Sequence, residues 1–292
     1  MEGSGKPLYD VRPEAAGLHI SKGNSKIGPG IWSFSTLPGD AAHPLRLADG
    51  TLLTDIPGTC GPACESCFGH GCYAVRDAKL HHNATIRAWG ENTLLLRSGR
   101  LWGELEAFLT LKNGRAMRLL KGAAATDGTT PPDAVREARG LAGVKAFRID
   151  VSGEVEDEAQ LAEWAKLAAG HPETLFGVYT KRYGALGAYL DAHPEGFPPN
   201  MCVNVSQWRG CADAFLEKYA WAGLNVFEYD PTNRAGHGLT EAETTRLAKA
   251  AHCPAVTKEG HHALMPDGSP VTCDRCMRCY RKTGALTAVW SH

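Results

Sequence analysis

From residue 147 onward the chain alternates between two hydrophobic periods. Short runs at 147–152, 174–180, 201–206 and 224–230 have the length and the β-branched or aromatic content of strands. Between and after them, 157–169, 184–192, 212–221 and 240–251 carry apolar positions at helical spacing, and 254–257 reads as a last short strand. Upstream, Ile31-Trp32-Ser33-Phe34-Ser35-Thr36 predicts a first strand, and 84–97 and 101–120 predict amphipathic helices. The Gly-, Pro- and Cys-rich stretch 37–72 predicts a long functional loop, and 122–134 a breaker-rich connection.

Strands alternating with helices imply βαβ units with right-handed crossovers and a parallel sheet. Counting from the first strand gives about six units, too few for an eight-fold barrel. The pattern therefore fits an α/β fold, either a partial barrel or an open doubly wound sheet. Polar residues gather where the strands should end: Ser152-Gly153-Glu154, Thr180-Lys181-Arg182, Ser206-Gln207-Trp208, then Glu228 and Asp230. Both architectures place active sites on that carboxyl edge, and the loop 37–72 follows the first strand onto the same edge. This convergence favours an enzyme.

Composition narrows the setting. A 292-residue chain with 43% hydrophobic content builds a proper core, and a net charge of −1 gives no global drive toward nucleic acid or acidic membranes. The N-terminal stretch has no apolar signal region, and no run approaches the ~20 apolar residues of a membrane span. The expected location is the cytoplasm, where ten cysteines point to metal chemistry rather than to a disulfide framework.

Seven cysteines fall in two groups. Cys60, Cys64, Cys67 and Cys72 form the front group; Cys273, Cys276 and Cys279 form the tail group, with Cys253 as a candidate fourth partner. Only Cys64 and Cys67 have the Cys-x2-Cys hook that zinc sites favour, so the front spacing favours an iron–sulfur cluster. Three thiolates on a four-iron cluster would leave one iron open. Consecutive Cys-x2-Cys-x2-Cys in the tail resembles ferredoxin-type ligation, with a structural zinc staple as the competing reading. Cys202 reads as a small buried hydrophobe. His70, His261 and His262 receive no catalytic role.

Cys60-x3-Cys64-x2-Cys67 resembles the motif of radical S-adenosylmethionine (radical SAM) enzymes, whose fold is a partial (β/α)6 barrel with the cluster loop after strand one. The chain is more closely similar to a family of phage- and plasmid-encoded radical SAM-like proteins linked to DNA hypermodification. The similarity rests on 23–39, the cysteine loop ending Cys72-Tyr73-Ala74, 147–161, 176–183, Val205-Ser206 with Trp208, and the tail, spanning roughly 20–280. The superfamily motif implies Cys60, Cys64 and Cys67 as ligands, whereas the family pattern implies Cys60, Cys67 and Cys72. The resemblance implies a leader at 1–30, a partial barrel at 31–252 and an auxiliary-cluster tail at 253–292. It also implies that Ser152, Gly153 and Glu154 receive the methionine amino group of SAM, against the plainer reading of Glu154 as a helix cap. Lys181 or Arg182 would meet the SAM carboxylate or ribose, or an anionic substrate, and Ser206 and Gln207 the sugar, with Trp208 stacking on a ring or buried as structure.

The expected function is therefore a cytoplasmic enzyme that uses a 4Fe–4S cluster to cleave SAM to a 5′-deoxyadenosyl radical and abstract a substrate hydrogen atom. Flavodoxin or ferredoxin would be the reductant, and a second 4Fe–4S cluster would sit in the tail. DNA or a modified nucleotide, with a modified nucleobase or an amino-acid adduct on one as the reacting group, is the substrate class that the resemblance implies, and a peptide or free amino acid stays open. The rivals are a zinc- or Fe–S-stabilised nucleic-acid-binding module and an electron-transfer protein without SAM chemistry. Near-zero net charge and the lack of basic-aromatic runs count against the nucleic-acid module.

Overall fold

The computed structural model describes residues 6–24, 27–61, 72–124, 130–233, 235–236, 238–259 and 261–290. After a 3-10 turn at Pro13–Ala15, β1 (Ser21–Lys22) pairs antiparallel with β2 (Ile31–Ser33). Three helices follow the loop: α1 (Tyr73–Leu80), α2 (His82–Arg97) and α3 (Leu101–Ala123). Next come α4 (Pro132–Leu141), β3 (Ala146–Ile149), α5 (Glu158–Gly170), β4 (Leu175–Thr180), α6 (Tyr183–Ala192) and β5 (Met201–Gln207). The remainder is α7 (Asp213–Lys218), β6 (Asn225–Asp230), α8 (Glu241–Lys249), β7 (Ala251–His252), α9 (Cys273–Cys276) and β8 (Leu286–Trp290).

All eight strands form one sheet in the order β1-β2-β3-β4-β5-β6-β8-β7, parallel except for β1. From β2 to β6 each new strand is added on the same side, without the reversal that defines a doubly wound sheet. Right-handed crossovers in one direction place the connecting helices on one face. Packing agrees: Phe147, Ile149, Phe176, Val178, Met201, Val203 and Val205 share one core cluster with Leu101, Leu105 and Leu109 of α3, Trp164 of α5 and Leu186 of α6. Trp164 is fully buried and meets Phe34, Trp102 and Phe147 at ring-centroid distances of 5.1–6.0 Å.

Several boundaries differ from the sequence reading for identifiable reasons. The first strand stops at Ser33 and the second at Ile149, because Asp150 adopts a left-handed backbone. Asp157 caps α5, its carboxylate accepting from Gln160 N at 2.8 Å. The stretch 122–134 does not stay irregular to its end, since α4 starts with proline at its first position, where the missing N–H is no loss. The segment 254–257 is turn, not strand. The last strand is β8, which follows the tail cysteines and inserts between β6 and β7.

The face away from the helices is polar. Pairing in register puts Ser33, Arg148, Gly177 and Cys202 in one row, and Tyr179, Asn204 and Asn225 in the next. The cysteine-rich segment lies across this face, held by two buried asparagines. Asn204 Nδ2 donates to Cys279 O at 3.0 Å, and Asn225 Nδ2 to Arg281 O at 2.9 Å. Asn225 Oδ1 accepts from Thr283 N and Gly284 N at 3.0 and 3.1 Å. The Tyr280 ring fills the space over Gly177, where a Cβ would lie 2.7 Å from the ring. Asp274 of α9 accepts from Gly30 N at 3.0 Å, tying the segment to the start of β2.

Candidate functional site

Past the end of β3 the chain makes a tight turn. Asp150 has φ 48° and Gly153 φ 84°. A Cβ at Gly153 would sit 1.9 Å from Thr36 Oγ1 and 2.6 Å from Thr59 Oγ1, so only glycine lets the turn pack against these two threonines. The two hydroxyls are 2.9 Å apart, and Thr59 Oγ1 accepts from Glu154 N at 2.9 Å.

Thr59 directly precedes Cys60, and the next contact comes from the turn after β4. Arg182 donates to Cys60 O at 3.1 Å and to Glu156 O at 2.6 Å. Gly61, at φ 59°, leaves room for that guanidinium. The buried Cys60 sulfur accepts from Gly39 N at 3.3 Å. The entrance of the cysteine loop is thereby bonded to the turns after both β3 and β4. At its exit, Cys72 stands at the N-terminal cap of α1, and the Tyr73 hydroxyl donates to Val151 O.

Glu154 does not cap a helix. Its carboxylate accepts from Thr180 Oγ1 at 2.8 Å and from Lys181 N at 3.3 Å, and lies 3.7 Å from Lys181 Nζ. Burial raises its pKa, opposed by Lys181 and Thr180. Both groups expected to face SAM, Glu154 and Lys181, are thus engaged with each other. Of the neighbouring acids, Asp157 serves α5, whereas Glu156 pairs with Arg97 at 2.6 Å.

Gln207 and Glu228 turn toward the helices. Gln207 Oε1 accepts from Ala212 N at 3.1 Å and its Nε2 donates to Glu228 Oε2 at 3.2 Å. Arg246 pairs with Glu228, and Asp230 accepts from His252 at 2.8 Å. Gln207 therefore stands apart from Ser206, which lies on the polar face and whose carbonyl accepts from Tyr183 at 2.6 Å. Trp208 is half-buried just beyond β5. Cys202 is a buried thiol, as expected; Asn225 donates to it at 3.1 Å, and burial pushes it up to about 12.

Sequence reasoning named Ser152 but missed two neighbouring polar groups, Asp150 and Arg148. Asp150 is 4% exposed; its Oδ1 lies 3.4 Å from Thr36 Oγ1, and its Oδ2 has no hydrogen-bond partner among the described residues. Burial first, then the Glu154 charge, raises its pKa well above the carboxylate range. Ser152 Oγ, also buried, has no partner among the described residues either, and the same holds for Arg148 Nε. In the sequence these three residues recur every second position, a polar alternation that the strand itself does not continue, since β3 ends at Ile149 and the left-handed Asp150 breaks the period.

Among the eight described cysteines none forms a disulfide. Cys64, Cys67 and His70 lie outside the described residues. Among the described residues, no three His, Cys, Asp or Glu side chains converge closely enough to hold a single metal ion. The tail cysteines do share a neighbourhood: burial pushes the Cys279 thiol up to about 11, and Cys253 and Cys273 are among the charges acting on it.

Among the described residues no helix is long and apolar enough to cross a membrane. No curated protein and no solved structure matches the chain. The profile of a phage-type family described as gene product 88 matches residues 19–282, which takes in every strand from β1 to β7, the cysteine loop and the tail cysteines. On that match the chain belongs to the gene product 88 family.

Proposed function

We propose that the chain is a radical SAM-type enzyme, with a 4Fe–4S cluster on the front cysteine loop and S-adenosylmethionine bound over the turns after β3 and β4. The observation that carries this reading is the clamp at Cys60: Thr59 bonds the turn Ser152-Gly153-Glu154, and Arg182 of the β4 turn bonds Cys60 O. A one-directional strand order supports the partial (β/α)6 barrel that goes with it.

A four-iron cluster held there would supply the one-electron reductive chemistry of SAM cleavage, with a flavodoxin- or ferredoxin-type protein as the electron donor. Cys60 and Cys67 hold the cluster in both ligand schemes, with Cys64 or Cys72 as the third. The chain's own part is orientation and exclusion of water. Since Glu154 and Lys181 satisfy each other, Asp150 Oδ2 and Ser152 Oγ are the groups left to receive the SAM ammonium. Glu154 holds the two turns at a fixed separation. Tail cysteines Cys253, Cys273, Cys276 and Cys279 would hold the second cluster. A modified nucleobase in phage DNA is the substrate class in keeping with the family resemblance.

The test is anaerobic purification with iron and sulfide analysis, followed by an assay for 5′-deoxyadenosine from SAM under dithionite. The expected result is an iron- and sulfide-bearing brown protein that makes 5′-deoxyadenosine and loses that activity on Cys60→Ala. Colourless protein carrying stoichiometric zinc, or a full front cluster that leaves SAM intact, would overturn the reading. The latter outcome would favour an electron-transfer role.

A further inference from the structure

Arg148 projects from the middle of β3 onto the polar face of the sheet, opposite Ser33 and Gly177 in register. Its guanidinium carbon stands 4.5 Å from the centre of the Tyr179 ring, so one flat face is covered. Its Nε is buried without a partner, and among the described residues no hydrogen bond or carboxylate engages the guanidinium. The other neighbours that carry weight are Tyr73, Tyr280 and Cys273. The three tyrosines, as phenols with an ordinary pKa of about 10, are neutral at pH 7. An arginine stays charged under these conditions, and a charge held away from bulk water without a counter-ion is destabilising.

The site is not closed. Arg148 and Tyr179 are half-buried and Tyr73 is 50% exposed, although burial dominates the surroundings of its phenol. Below Arg148 lies the Tyr280 plug; above it are the Tyr73 hydroxyl and the turn at Val151. With one face of its fork on Tyr179, Arg148 keeps its in-plane donors for a partner.

We infer that Arg148 is the anchor of a ligand site between the two cysteine groups, and that the ligand presents an oxyanion, a phosphate or a carboxylate, to its unused N–H fork. Bidentate pairing of guanidinium with such a group is planar, which suits a side chain already fixed by stacking. The rings of Tyr73 and Tyr179 make the rest of the wall suited to a flat organic moiety rather than to a bare ion. This inference rests on Arg148 and its surroundings and does not depend on the cofactor reading.

The test is calorimetric titration of the protein as isolated with thymidine 5′-monophosphate for the phosphate arm, benzoate for the carboxylate arm and thymidine as the uncharged control. Wild type should bind one of the two anions and not thymidine, and Arg148→Met should weaken that binding roughly ten- to a hundredfold. Arg148→Lys, which keeps the charge without the fork, should fall between. Arg115→Met, at an exposed position on α3, should bind as wild type does. Equal affinity in wild type and a folded Arg148→Met, or no binding of either anion by wild type, overturns the proposal. If Arg148→Met leaves anion affinity intact but shifts the pH profile of tail-thiol alkylation, Arg148 is instead the counter-charge of Cys273 and Cys279, and the ligand site is wrong.

Discussion

Asp150 concentrates more physical tension than any other described residue of the site. It sits in a left-handed conformation, is nearly inaccessible and leaves one carboxylate oxygen unbonded. A non-glycine residue there costs roughly 1–3 kcal/mol, and an unsatisfied buried group adds ~1–3 kcal/mol more. The sign of its pH dependence follows. With the folded pKa raised, the penalty is absent below the unfolded value near 3.9 and grows as pH rises toward the folded value. Asp150→Asn, which tolerates the same backbone, should therefore raise the melting temperature at pH 7 by several degrees, at ~2–4 °C per kcal/mol for a chain of this size. The gain should disappear near pH 4. A melting difference that stays flat from pH 4 to 8 would show that Asp150 carries no buried charge.

At this scale the sequence was legible for residue type and not for bonding. Ser152-Gly153-Glu154 could be placed at a strand end, and Gly153 could be expected to permit close approach. The atoms it approaches are Thr36 and Thr59, far away in sequence, and no local pattern announces them. Glu154 and Lys181 were each chemically suited to a zwitterionic ligand. Nothing in the sequence reveals that they neutralise one another 3.7 Å apart.

Elements were easier to read than their edges, because burial sets the period while single residues set the ends. The run of strands from β3 to β6 was plain in the apolar repeat. β8 was hidden because Leu286–Trp290 follows a cysteine-rich segment whose composition suggested a separate tail. α1 was hidden by its position against that of the long loop, with exposed Tyr73 and Leu80 blurring its apolar face. The tail's attachment also belongs to this scale. Asn225 alone bonds Cys202, Arg281, Thr283 and Gly284. Asn225→Ala should loosen residues 273–285 from the sheet, lowering stability by ~2–4 kcal/mol and speeding alkylation of Cys279 while leaving Cys60 unchanged. Unchanged Cys279 reactivity would mean that the segment is held by Tyr280 packing instead.

For the molecule as a whole, the two cysteine groups meet the sheet in different ways. The front loop is bonded to the carboxyl edge through Cys60, whereas the tail lies across the polar face through backbone carbonyls. Under the proposed function, SAM should perturb only the front cluster's paramagnetic spectrum, since four tail thiolates leave no open position. A triple Cys273/Cys276/Cys279→Ala variant should still cleave SAM slowly with an artificial reductant and lose substrate turnover. A SAM-induced shift of the tail signal, or a triple variant with a full front cluster that cannot cleave SAM, would refute this division.

β8 lies between β6 and β7 but is made after both. β7 ends at His252 and β8 starts at Leu286, so 34 positions separate the end of one from the start of its neighbour. On a ribosome adding roughly 5–20 residues per second, β7 waits about 2–7 s with no edge to join. During that wait the tail cysteines are synthesised while the polar face they will cover is still bare. Nascent chains arrested at residue 270 should therefore show β3–β5 amides protected from exchange and β7 amides open. Any cofactor that reaches that face is best placed to enter before the last strand slides in beside β6 and shuts it.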